Sequence, residues 1–223
     1  GGGTPSSLND EQFSFLLSLL EPYIDENTLE YTVEINPETI SLNKLQMMKA
    51  HGVNRLSIGV ESSDDEILKS INRLYTFSQV KEAVKMIREV GFENISFDII
   101  LGLPNVSDEM LKKDINNLLA LNPKHISCYS LTVHEHTVFG IRGVKEKSDD
   151  EMREKYDLVN DILTKNGFLH YEISSWAKDN YFSKHNLVYW KDERYYGLGL
   201  GASGYIDNIR YTNTRALNKY IKG

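Results

Sequence analysis

The sequence has a single cysteine, Cys128, among 223 residues. An internal disulfide framework is excluded, and the usage fits a reducing, cytoplasmic compartment. No run of about 18 apolar residues occurs, so no transmembrane helix is expected. No secretory signal peptide is legible. Net charge is −7 without any block of like charge, which argues against nucleic-acid binding. C-x-x-C, H-E-x-x-H and G-x-S-x-G are all missing. His134 and His136 flank Glu135, but nothing completes a metal site, and none is expected in this stretch of chain. There is no low-complexity linker and no exact internal repeat. An initiator methionine is also lacking: the chain opens Gly1-Gly2-Gly3-Thr4-Pro5 and runs straight into a capped helix. This opening reads as the continuation of a longer chain.

What is present is a rhythm. Apolar content of 40% and charged content of 26% suit a soluble globular protein. Four apolar runs end in polar or glycine-rich sequence: Thr32–Asn36, Leu56–Glu61, Phe97–Pro104 and Ile126–Thr132. Helix-like sequence fills the gaps between them. Such β-α alternation predicts parallel strands with right-handed crossovers, and the strands read as nearly continuous apolar runs. Charged residues at the carboxyl ends of such strands are how an α/β barrel builds a pocket.

Helix boundaries are marked by side-chain chemistry. Asn9 with Gln12, Thr76 with Gln79, and Ser148 with Glu151 have capping-box spacing. Ser63 with Glu66 is read the same way. Gly52, Gly91 and Gly167 are placed as helix terminators. The tail departs from the rhythm. Tyr171-Glu172-Ile173, Val188-Tyr189-Trp190 and Ile209-Arg210-Tyr211 read as strands. Between the last two lies Gly197-x-Gly199-x-Gly201, where bare backbone implies close packing. A barrel over 1–140 and a helix plus aromatic, glycine-rich β extension over 141–223 are expected.

Glu34, Glu61 and Asp98 are acceptors at the ends of successive strands. They suit ribose hydroxyls or an amino group, or alternatively cap nearby helices. Arg73 could bind a carboxylate bidentately or be a solvated helix-end arginine. Gly1-Gly2-Gly3-Thr4 presents either backbone to a ligand or a plain turn. His185-Asn186-x-x-Tyr189-Trp190 groups an imidazole, an amide and two aromatics, suiting a planar ligand or a porphyrin. Cys128 reads as a core residue.

In order along the chain, the stretches Gly1–Ser6, Glu34–Pro37, Arg55–Ser62, Ile71–Arg73, Asp98–Pro104, Tyr129–Thr132 and His185–Trp190 resemble one family. It is the radical S-adenosylmethionine family of oxygen-independent coproporphyrinogen III oxidases, and within it the HemW branch of heme chaperones. The resemblance implies an α/β fold, a partial (β/α)6 barrel of triosephosphate-isomerase type carrying the C-terminal extension. It implies S-adenosylmethionine as cofactor, met by Gly2, Gly3 and Thr4 at its methionine end and by Glu34. Glu61, Arg73, Asp98 and Thr132 fall at further ligand positions, some of which hold a second S-adenosylmethionine in the oxidase branch. Ala202 lies near the adenosyl group. His185, Asn186, Tyr189 and Trp190 are linked to heme. A 4Fe–4S cluster belongs to the family through three cysteines upstream of the glycine stretch, so this stretch by itself is expected not to cleave S-adenosylmethionine.

Two departures stand out: Glu61 replaces a glutamine, and Ser203 a frequent histidine. The function implied is a coproporphyrinogen-oxidase-like radical protein of heme metabolism, or alternatively a heme chaperone with a heme-receiving partner. The class that competes with both is an unrelated α/β-barrel enzyme using the Glu34/Asp98 pocket.

Overall fold

The computed structural model describes residues 4–222. The chain divides into two units. The larger is Ser6–Phe182; the smaller combines the described opening, Thr4 and Pro5, with residues from Ser183 onward.

The larger unit follows the β-α rhythm. Its elements are α1 (Asp10–Leu20), β1 (Thr32–Ile35), α2 (Leu42–Ala50), β2 (Arg55–Glu61), α3 (Asp65–Ser70), α4 (Phe77–Glu89), β3 (Ile95–Leu101), α5 (Asp108–Leu119), β4 (His125–Ser130), α6 (Val138–Ile141), α7 (Asp149–Lys165), β5 (Leu169–Glu172) and β6 (Ser175–Ala177). The three capping boxes form as spaced, each with its reciprocal backbone bond. The short helix α3 is capped by Asp64, whose carboxylate accepts from the Glu66 and Ile67 amides. Ser63, expected there, is used elsewhere.

The sheet order is β1-β2-β3-β4-β6-β5. The first four strands are parallel; β6 runs antiparallel to β4 and to β5. This is the mixed α/β architecture expected of a partial barrel, with an unanticipated strand, β6, only three residues long, inserted between β4 and β5.

The strands are not uniformly apolar. They alternate. Val33, Ile35, Leu56, Ile58, Val60, Ile95, Phe97, Ile99, Ile126 and Cys128 join the buried core that holds Phe13, Leu45, Val84, Ile115, Val159 and Trp176. The intervening residues are Glu34, Arg55, Ser57, Gly59, Ser96, Asp98, His125 and Ser127, and period-two geometry sends them to the other face. Helices cover one face of this sheet, and the other is a polar interior. That is why the reading of continuous apolar runs needs correction.

The smaller unit holds α8 (Lys184–Trp190), β7 (Ser203–Ile206), β8 (Ile209–Thr212) and α9 (Leu217–Lys222). Val188-Tyr189-Trp190, expected as strand, is helical, because Ser183 caps the segment by accepting from the Asn186 amide. β7 and β8 form a hairpin turned by Asp207 and Asn208, both at positive φ, the signature of a two-residue primed turn. Its glycines are explained locally: a Cβ on Gly204 would lie 2.3 Å from the Tyr211 ring, so the ring packs on bare backbone.

Candidate functional site

The polar face of the sheet is where the larger unit gathers its chemistry. Register pairs Glu34 with Ser57, Gly59 with Asp98, and Asp98 with Ser127. Glu34 is exposed on the edge strand β1. Ser57, Ser96, Ser127 and Ser175 are all buried, so small hydroxyl residues floor the face. Gly59 lies at its centre, closely flanked by two polar side chains. A Cβ there would come 3.3 Å from both the Asn36 Oδ1 and a Glu61 carboxylate oxygen.

Asp98 is the most informative group. Its Oδ2 accepts from the Ser57 hydroxyl at 2.9 Å. Its Oδ1 is buried with no hydrogen-bond partner among the described residues. Burial raises its pKa to about 6, against the opposing pull of the bonded Ser57 hydroxyl, of the nearby Ser127 hydroxyl, which lies outside hydrogen-bonding geometry, and of Arg55, with the Glu34 charge adding a further rise. A buried carboxylate oxygen without a donor is costly, and it asks for one.

Glu61 closes β2 at φ 63°, a backbone conformation uncommon outside glycine. The β2–β3 register shifts at this point. Its buried carboxylate is bonded to the Arg73 guanidinium. Burial pushes the Glu61 pKa up despite that partner. Sequence left Arg73 either a carboxylate binder or a solvated arginine; the structure gives it a carboxylate from its own chain. Tyr75 donates its hydroxyl to the Gly59 carbonyl at 3.1 Å, and burial raises it beyond the usual tyrosine range.

Below Asp98 the floor is a closed polar network. His125 is fully buried, bonded to Ser96 Oγ at 2.8 Å and to the Tyr171 hydroxyl at 2.7 Å. Burial first, and Arg55 second, hold its pKa well below the ordinary value, so it is neutral. Cys128 faces the helix side, and burial pushes its thiol well above the ordinary range, which makes it inert.

The sequence-predicted residues are thus distributed as follows. Glu34, Glu61, Arg73 and Asp98 all lie in the larger unit: Asp98 pairs in register with Gly59, Glu61 leans over Gly59 and holds Arg73, and Glu34 pairs with Ser57. Thr132 lies beyond the end of β4, exposed. In the smaller unit Thr4 is half-buried and Ala202 buried, its amide bonded to the Gly199 carbonyl. Gly2 and Gly3 lie outside the described residues. His185 and Tyr189 sit one helical turn apart on α8, the Tyr189 hydroxyl 2.6 Å from His185 Nε2. Asn186 is half-buried beside them, and Trp190 is exposed. Ser203 bonds Thr212 across the hairpin at 2.8 Å.

Two kinds of residue escaped the sequence reading. The serines and His125 needed strand register to be seen together. Asp114, buried on α5, carried a signal: it interrupts the apolar stripe Leu111, Ile115 and Leu118 with a charge.

The Radical SAM superfamily model matches residues 1–118, and the chain belongs to this superfamily. More particularly, it is similar to proteins named heme chaperone HemW. That of Lactococcus lactis is 40% identical over 227 residues, covering all of this chain and 60% of the relative. That of Escherichia coli is 34% identical, covering all of this chain and 61% of the relative. The chain therefore spans about three-fifths of the length of these relatives. The resemblance to the HemW branch of the coproporphyrinogen-oxidase-like family holds. Among solved structures, the coproporphyrinogen III oxidase HemN of Escherichia coli, described as a radical SAM enzyme, superposes with a TM-score of 0.84 at 24% identity. It covers all of this chain and 55% of that one, and shares the fold.

Superfamily membership implies S-adenosylmethionine and a 4Fe–4S cluster. This chain's residues do not fit the cluster. Its lone thiol is buried, and among the described residues no group of three His, Cys, Asp or Glu could hold a metal. No helix among them is long and apolar enough to cross a membrane.

Proposed function

We propose that this chain is a ligand-binding part of a heme chaperone, holding S-adenosylmethionine against the polar face of its sheet and heme through α8. The observation that carries the S-adenosylmethionine reading is the donor-less Asp98 Oδ1 on the strand beside Gly59. A carboxylate in that state suits ribose hydroxyls or an ammonium group, and Glu34 offers a second acceptor two strands away. Gly2, Gly3 and Thr4 are assigned to the methionine end, and Ala202 to the adenosyl group. Glu61, Arg73 and Thr132 complete the set. S-adenosylmethionine would bring a sulfonium-linked adenosyl group; the chain's own residues bind and orient it. Asp98 and Glu34 accept its hydrogen bonds, and the bare Cα of Gly59 lets the Asn36 and Glu61 side chains approach the same face.

The oxidase reading ranks second here. The names of the relatives that match the whole chain favour a chaperone, and the likeness to the oxidase structure is one of fold. The heme-receiving protein and a cytoplasmic setting belong to the same proposal. His185 is assigned as the heme ligand because a neutral imidazole nitrogen is a common metal ligand and its helix exposes it. Asn186, Tyr189 and Trp190 are assigned to the porphyrin around it. Heme absorbance of the full-length protein tests this. His185→Ala should remove or shift the Soret band. An unchanged band would remove His185 from the heme site.

A further inference from the structure

Glu61 occupies a backbone turn that does not hold itself. The Ser62 amide donates to the Val60 carbonyl at 2.7 Å, two residues back, with Glu61 between them at φ 63°. A three-residue turn of this hand is rare and strained for a side chain as large as glutamate. It persists only where surrounding contacts over-determine it.

Those contacts are explicit. On the strand side, buried Tyr75 donates its hydroxyl to the Gly59 carbonyl at 3.1 Å. On the loop side, Asp114 reaches in from α5. Its Oδ2 accepts from the Ser62 hydroxyl at 2.8 Å. Its Oδ1 accepts from the Ser63 amide at 2.9 Å and the Ser63 hydroxyl at 2.6 Å. Asn117, also on α5, donates to the Ser63 hydroxyl at 2.8 Å. Asp114 is buried on a helix face otherwise made of Leu111, Ile115 and Leu118. An apolar residue there would pack without needing any donors. A carboxylate is justified by the three bonds it accepts, and all three go to the two residues that follow Glu61.

We propose that Asp114 is a positioning residue: through Ser62 and Ser63 it locks the turn that aims the Glu61 carboxylate over Gly59 and onto Arg73. The lock runs from the helix of the next β-α unit, so it ties the Glu61 turn to the packing of α5. Its consequence for ligand affinity rests on the S-adenosylmethionine reading above; its consequence for Glu61 does not.

The experiment uses the full-length protein in four forms: unaltered, Asp114→Asn, Ser62→Ala with Ser63→Ala, and the combination. Two readouts are taken. One is the titration of the Glu61 carboxyl by carbon-13 NMR, assigned with Glu61→Gln. The other is S-adenosylmethionine affinity by calorimetry. Asp114→Asn should move the Glu61 titration down toward an ordinary carboxylate, because a released turn lets it reach water. Affinity should fall about tenfold, as expected for losing hydrogen bonds to a charged group. The combination should be no worse than Asp114→Asn alone, since all members act through one contact set. If Asp114→Asn does not fold, the serine variant alone must give the same two shifts. An unaltered Glu61 titration in a folded variant overturns the proposal. Failure of the unaltered protein to bind S-adenosylmethionine would sink the ligand reading, and the titration would still decide the role of Asp114.

Discussion

Asp98→Asn should make the protein more stable at neutral pH while weakening its hold on ligand. The folded-state pKa of Asp98, about 6, lies above its ordinary value of 3.8 because burial disfavours the charge. The folded protein therefore binds a proton more tightly than the unfolded chain does. Stability is highest at acid pH as far as this group is concerned, declines as pH rises from about 4 to about 6, and stays low above that. At pH 7 the ionised carboxylate costs about 3 kcal/mol, the shift from 3.8 to about 6 converted at about 1.4 kcal/mol per unit. Asparagine removes that cost and should flatten the decline. Thermal or urea unfolding at pH 4 and pH 7 measures both effects. The same change should weaken S-adenosylmethionine binding about tenfold, by loss of a charged acceptor. A protein equally stable at both pH values before and after the substitution would contradict the burial argument. Destabilising chemistry retained at the proposed binding face is the familiar trade between stability and function.

The second large effect concerns Arg73. Arg73→Ala strips the buried Glu61 carboxylate of its counter-charge. Removing one partner of a buried pair is costly because the other is left uncompensated. Since Arg73 is itself about a third exposed, part of the effect is screened by water, and about 2 kcal/mol is expected at pH 7. The Glu61 pKa is already raised by burial and rises further without the arginine. The loss should therefore shrink as pH falls and the carboxyl becomes neutral. Combining Arg73→Ala with Glu61→Gln should restore most of the stability, because an amide needs no counter-charge. A double variant as unstable as the sum of the singles would show that the pair is not electrostatically coupled. Glu61→Gln alone releases Arg73 from ion pairing.

Local chemistry made much of the fold legible. Capping boxes at Asn9, Thr76 and Ser148 lie within four residues of the backbone groups they satisfy, and all three form. The errors came where distant residues decide. Ser63 looks like a cap, but Asp114 takes it from 51 residues away, and Asp64 caps instead. Tyr189 and Trp190 have strand propensity, yet the Ser183 cap and the packing of Tyr189 on Tyr195 make that segment helix. β6 is too short to carry a period. At the site, Glu34, Glu61 and Asp98 were readable as strand-end acids. Their relation to Gly59, the serine floor and the Asp114 lock was not, because register and helix packing create those contacts and no spacing along the chain encodes them.

Binding of S-adenosylmethionine to the full-length protein, before and after Gly59→Val, bears most directly on the central claim. The side chain added there would press on Asn36 and Glu61, whose oxygens its Cβ would approach to 3.3 Å, next to Asp98 in register. Saturable binding that disappears with valine, while the protein stays folded, is the predicted result. Equal affinity in the two proteins would mean that the ligand lies elsewhere.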